Sequence, residues 1–128
     1  MSSALIDSFL DLLAPLGGVE AKRMFGGHGI MKQGIMFALE YRGRLFIKTD
    51  EMNRACFVEA GCEPFNPHGP KRRKVILPYF EPPESAFISP QKMKPWALLG
   101  WEAAQRAYQK RPASRKKKAK SKTGKTKR

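Results

Sequence analysis

The residues of this sequence best suited to chemistry are cations. Lys71, Arg72, Arg73 and Lys74 form one run, and Arg115, Lys116, Lys117, Lys118, Lys120 and Lys122 form a second. Clustered lysines and arginines neutralise phosphates and release condensed counterions, a gain that ignores base sequence and falls steeply with salt. No aromatic residue follows Tyr108. The second run therefore offers no stacking platform and no base reader, and its contacts are expected to be non-specific. The first run has an equally good structural use, because charge on a sheet edge discourages edge-to-edge aggregation.

Other candidates carry less. Gly26-Gly27-His28-Gly29, with Lys22 and Arg23 just before it, could form a nest of backbone N–H groups around an anion. It lacks the Lys-Ser or Lys-Thr ending of a phosphate loop, so a structural turn, with glycine serving positive φ or close backbone approach, is the favoured reading. Cys56, Cys62, His28 and His68 are the only soft metal ligands, and they lack the paired short spacing of a structural zinc site. Cys56 lies among apolar residues, where a thiol is expected to be inert core. Asp50, Glu51 and Glu59 read as a helix cap and a solvated face. Trp96 and Trp101, at helical spacing, read as core before ligand platform. No catalytic residue, cofactor site or metal site is assigned.

The chain of 128 residues suits one domain, and its net charge of +14 is unevenly spread. Residues 110–128 hold 11 basic residues and no acid, which leaves 14 basic against 11 acidic residues over 1–109, a net of +3. Such asymmetry points to a polyanionic partner, nucleic acid before an anionic membrane. Two cysteines and the lack of a leader-like start argue against a secreted disulfide framework. No apolar run approaches the roughly 20 residues that span a bilayer, so a cytoplasmic protein is expected.

Positioning these residues requires a folded body. Ser3 is a candidate N-cap for a helix with Ile6, Phe9, Leu10 and Leu13 on one face and Asp7 and Asp11 outward, ended by Pro15, Gly17 and Gly18. A loop is expected through Lys22 to Gly29. Ile30 to Lys32, Ile35 to Glu40 and Arg44 to Lys48 read as strands of an antiparallel meander, joined at Gln33-Gly34 and Tyr41-Arg42-Gly43. Leu45, Phe46 and Ile47 in succession suit a central strand covered on both faces.

Asp50 is a candidate cap for a second helix, with a broad apolar face of Met52, Ala55, Cys56, Phe57 and Val58 and a left-handed C-cap at Gly61. Val75 to Leu77 and Tyr79-Phe80 read as further strand, confined by Pro78 to an edge or bulge. Ser89-Pro90 opens a last helix, delayed a turn by Pro95, whose Trp96, Ala97, Leu99, Trp101, Ala103, Ala104 and Tyr108 close the core. Beyond Pro112 nothing apolar offsets the entropy of ordering, so a disordered tail is expected.

Several separated motifs resemble one family: Arg23-Met24-Phe25-Gly26-Gly27-His28-Gly29-Ile30, Met36-Phe37-Ala38-Leu39, Leu45 to Asp50 with Asn53, Arg54 and Phe57, then Gly61-Cys62-Glu63-Pro64-Phe65, Tyr79-Phe80, Pro83, Trp96 and Trp101. The chain resembles the amino-terminal domain of the TfoX/Sxy competence regulators over about residues 15–108. The resemblance implies an α+β fold, a bacterial role in regulating DNA uptake at the level of transcription, and no established catalytic residues. Longer relatives carry a second, helical domain, in place of which this sequence runs into lysine-rich residues.

The fold expected is α+β and two-layer, an antiparallel sheet of about five strands packed with helices in the order α-β-β-β-α-β-β-α. Residues 1–110 form the domain and 111–128 the basic tail. The function expected is non-enzymatic regulation associated with DNA or transcription. The ten cations above contact phosphate, with DNA favoured over RNA and a transcription-associated protein as a further partner. The alternative is a protein-interaction module whose tail only localises it. A homodimer through a strand edge or apolar face is compatible with the pattern.

Overall fold

A computed structural model describes residues 2–24, 26–65 and 78–110. Helix α1, Ser2–Leu13, runs into a 3₁₀ turn at Ala14–Leu16. Four strands follow, β1 (Val19–Met24), β2 (Gly27–Lys32), β3 (Ile35–Tyr41) and β4 (Arg44–Lys48). Helix α2 (Arg54–Glu59), strand β5 (Tyr79–Phe80), a 3₁₀ turn at Glu84–Ile88 and helix α3 (Pro90–Gln109) complete the order. The sheet is antiparallel, in the order β1-β2-β3-β4-β5. This is the α+β class and the strand number that the hydrophobic pattern implies.

The order of elements differs in one place. The loop expected through Lys22 to Gly29 is largely strand: β1 (Val19–Met24) is an edge strand in register with β2 from Val19↔Lys32 to Met24↔Gly27, so four strands precede α2 instead of three. Val19, Ala21 and Met24 of β1 are half-buried while Glu20, Lys22 and Arg23 are exposed, and these charged residues mask its apolar half. The expected strand at Val75 to Leu77 lies outside the described residues. Ser3, expected as a cap, falls inside the first turn of α1.

The meander turns at Gln33-Gly34 and Arg42-Gly43 have positive φ at both residues, the two-residue geometry whose twist matches that of paired strands. Leu45 and Ile47 face the helices, while Phe46 joins Leu39, Phe65 and Tyr79 on the opposite face. Strand β4 is thus covered on both sides, as its unbroken apolar run requires. Burial among those aromatics pushes the Tyr79 hydroxyl up to about 12.

Helix α2 corrects a second expectation. Only Phe57 is buried; Cys56 is exposed, Met52 is 72% exposed and Val58 57%. One turn and a half of helix turns a single side chain inward, here against Phe80 and Trp96. Its end is as expected: Gly61 at φ +78° lets Gly61 N–H donate to Val58 O and Cys62 N–H to Phe57 O, satisfying carbonyls that the helix leaves unpaired.

Asp50 caps the turn that leads into α2. Its Oδ1 accepts from the backbone of Met52 and Asn53, and Asn53 Oδ1 accepts from Asp50 N–H. The same carboxylate receives Arg106 of α3 through Nε (2.7 Å) and a second guanidinium nitrogen (3.0 Å). Asn53 Nδ2 donates to Leu99 O. The α2 entry is therefore bolted to α3, and the Arg106 hydrogen bond above all, with those from the turn, holds the Asp50 carboxyl below its ordinary value.

Helix α3 starts where expected, with Ser89 Oγ accepting from Lys92 N–H and Pro90 in the first turn. It is not delayed: Pro95 sits inside a continuous helix, exposed on the surface. The buried stripe is Met93, Ala97, Gly100, Trp101, Ala103 and Ala104. Its small residues permit close approach to the sheet, and a Cβ at Gly100 would lie 2.5 Å from Ile47 Cγ2 and 3.0 Å from Phe37 O.

Two outcomes follow. Gly100→Ala gains roughly 1 kcal/mol of intrinsic helix propensity but overpacks the contact by about 1–3 kcal/mol, so urea denaturation should show no net stabilisation; a more stable variant would mean that α3 does not pack this closely. Asp50→Asn should lose about 1–2 kcal/mol at neutral pH. Because the folded-state pKa is lowered, this contribution is full above the ordinary carboxylate value of about 3.9 and fades as pH falls through the lowered one. The gap between wild type and variant should therefore close in acid; a gap independent of pH would contradict the ion pair.

Candidate functional site

The sites expected from sequence, Lys71, Arg72, Arg73 and Lys74 with Arg115, Lys116, Lys117, Lys118, Lys120 and Lys122, all lie outside the described residues, as does His68. The described part gathers a different polar group. Arg23 pairs with His28 across β1 and β2, and His28 with Glu40 across β2 and β3. Cross-strand partners project from one face of a sheet. The rung two residues along, Ala21, Ile30, Ala38 and Ile47, packs under the helices. Arg23, His28 and Glu40 thus continue the helix-covered face to its end, where polar side chains replace the core.

A β-bulge creates this row. Lys32↔Ile35 and Met31↔Met36 follow the register set by the Gln33-Gly34 turn, which shifts by one residue between Ile30 and Met31. Without the shift His28 would face Leu39. With it, His28 Nδ1 lies 2.7 Å from Glu40 Oε1, the two side chains being only 13% and 7% exposed. A carboxylate oxygen accepts, so the ring proton on Nδ1 is donated to Glu40. Glu40 Oε2 accepts from Gly43 N–H at 2.9 Å. Both carboxylate oxygens are thus engaged, one fixing the imidazole and one closing the β3–β4 turn.

The glycines have separate jobs. Gly26, at φ +82°, occupies the β1–β2 turn. Gly27 is inside β2 and has no room for a side chain, since a Cβ would meet Glu40 O. The segment is therefore a turn followed by close backbone approach, as the structural reading expects. Together with the β3–β4 turn and Leu5 of α1 it bounds a cleft of about 360 Å³.

Arg23 and Arg42 complete its lining. Arg42 sits at φ +53°, a left-handed conformation that side-chain-bearing residues seldom adopt, with its guanidinium over the Tyr41 ring. Among the described residues the carboxylates that pair with arginine do so elsewhere, Glu81 with Arg44 and Asp50 with Arg106. The cleft offers cations and an imidazole but no hydroxyl or thiol among its described lining residues.

No three His, Cys, Asp or Glu side chains gather to hold a metal among the described residues. Cys62 is half-buried and its thiol is pushed up, chiefly by burial. Trp101 is core, set edge-on to Phe37, and Trp96 packs on Phe57. No described helix is long and apolar enough to cross a membrane.

A family model for the TfoX N-terminal domain matches residues 11–104. DNA transformation protein TfoX1 of Aliivibrio fischeri is 34% identical over 79 residues, covering 62% of this chain and 37% of that protein. DNA transformation protein TfoX of Haemophilus influenzae is 32% identical over 77 residues, covering 59% and 36%. The chain therefore spans just over a third of the length of these curated relatives.

Replacing Glu40 tests the row. Glu40→Ala removes two acceptors and leaves His28 Nδ1–H and Gly43 N–H unpaired, which should cost about 2–4 kcal/mol in thermal or denaturant unfolding. Unchanged stability would show that the carboxylate does not hold the ring and the turn.

Proposed function

This chain belongs to the TfoX N-terminal domain family, and on that premise we propose that it is a non-enzymatic regulatory protein of the DNA-transformation system that works in association with DNA. The observation that carries this reading is the segregation of charge in the sequence: 11 basic residues and no acid over 110–128, beside a net of only +3 over 1–109. A near-neutral folded body gives long-range attraction to phosphate little to work with, whereas a dense cationic segment supplies it. Lys71, Arg72, Arg73 and Lys74 add a second cluster. The names of the relatives associate those proteins with DNA transformation, which supports this reading.

In this reading the contacts are to the phosphate backbone, so DNA is held without regard to sequence and the folded domain supplies whatever specificity the complex has. A second reading draws on the exposed apolar residues Met52, in the turn before α2, and Val58 of α2. They suit a protein partner, with the basic segment serving to localise the pair. Nuclease treatment of a pull-down separates the two readings: loss of the captured material favours nucleic acid, and survival favours protein.

Duplex DNA binding by the full chain should weaken by roughly a thousandfold between about 50 and 200 mM salt. Deleting residues 111–128 should abolish most of the binding at low salt, and neutralising Lys71 to Lys74 should reduce the salt slope. Equal binding by the deleted form, or a flat salt dependence, would contradict the proposal.

A further inference from the structure

The proposal for the basic segment leaves unused the cleft at the end of the sheet. Its lining is electropositive even with Glu40 ionised, since Arg23 and Arg42 outnumber that one carboxylate. Both carboxylate oxygens already accept, from His28 and from Gly43. Glu40 therefore acts on the ring beside it. With the proton held on Nδ1, the lone pair or proton on His28 Nε2 remains available to a ligand, for among the described residues only Nδ1 has a partner. A carboxylate behind an imidazole is a common way to fix a ring that must meet something with its other nitrogen.

The position of Arg42 points the same way. Arg42 holds the first position of its two-residue turn at φ +53°, as Gln33 does in the β2–β3 turn. Arg42 thereby lines the same cleft as Arg23 from a different hairpin, with its guanidinium resting over the Tyr41 ring and, among the described residues, free of any carboxylate. One arginine fork satisfies a carboxylate by itself. Two arginines on separate turns that line one cleft with an imidazole suit a group with three outward oxygens. A volume of about 360 Å³ exceeds that of a bare anion and falls in the range of small-molecule pockets, and Leu5 supplies an apolar wall for the carbon part of a ligand.

We propose that this cleft binds the phosphoryl group of a phosphomonoester, with Arg23 and Arg42 as the clamp, His28 Nε2 as the third contact, and Glu40 and Gly43 as the positioning pair behind it. None of the residues named for the site belongs to 71–74 or 111–128. The same chemistry comes from two sources, a free phosphomonoester such as a nucleotide or the phosphorylated 5′ end of a DNA strand.

The test is amide-resolved NMR titration of the full chain, reading Gly26, Gly27 and Gly43, with a nucleoside 5′-monophosphate, with the nucleoside lacking phosphate, and with a dicarboxylate. Saturable shifts at these glycines with the monophosphate alone are expected, weakened roughly tenfold or more in Arg23→Gln and in Arg42→Gln. Both substitutions are at exposed positions, so the fold should survive, which unchanged shifts of the core amides will verify. Duplexes with and without a 5′-phosphate then identify the source. A difference between the two duplexes at the three glycines assigns the site to a DNA end, and none assigns it to a free phosphomonoester. No saturable response to the monophosphate, an equal response to the nucleoside or the dicarboxylate, or binding unchanged in both arginine variants would overturn the proposal.

Discussion

The close crossing of α3 over β3 and β4 is the constraint on which the rest of the structure rests. With Gly100 against Ile47 and the Phe37 carbonyl, the helix axis lies nearer the sheet than a stripe of large side chains would allow. Three consequences share that one placement. Trp101 reaches Phe37 edge-on, Trp96 covers Phe57, and Arg106 arrives at Asp50 while the Leu99 carbonyl arrives at Asn53. A short helix such as α2, which buries only Phe57, is held by contacts that α3 brings to it more than by its own propensity.

The same layering explains where polar residues collect. Helices cover the rung of Ala21, Ile30, Ala38 and Ile47, and the next rung on that face, Arg23, His28 and Glu40, emerges beside α1 at the turn-lined end of the sheet. Burying Glu40 there is tolerable because His28 and Gly43 supply both of its hydrogen bonds. A one-residue bulge decides that the imidazole meets the carboxylate and not Leu39. A local irregularity of backbone pairing thus determines the chemistry available in the cleft.

Much of this fold was legible in the sequence where a local rule acts alone. Ser89-Pro90, Gly61, the apolar spacing of α1 and the two-residue turns each state their structure within a few positions. The failures have a common cause, which is dependence on distant partners. Val19–Met24 is charged enough to read as loop, and only pairing with β2 makes it a strand. The apolar residues expected in α2 read as core, although Met52 precedes the helix and its six residues cannot turn Cys56 and Val58 inward along with Phe57. Pro95 reads as a delay, but a single missing hydrogen bond is absorbed in a helix whose far face is so well packed. The Asp50–Arg106 pair spans 56 positions, and the His28–Glu40 pair depends on a bulge that no residue type announces.

The chain belongs to the TfoX N-terminal domain family, and in the proposed reading its cations and its cleft meet phosphate. The most direct measurement of the central claim is residue-resolved NMR on the full chain as a duplex with 5′-hydroxyl ends is added at low ionic strength. The account predicts that amides of Lys71 to Lys74 and of Arg115 to Lys122 move, and that they return as salt is raised, while those of β3, β4 and α3 stay in place. Shifts confined to the sheet and α3, or none at all in the basic segments, would contradict it.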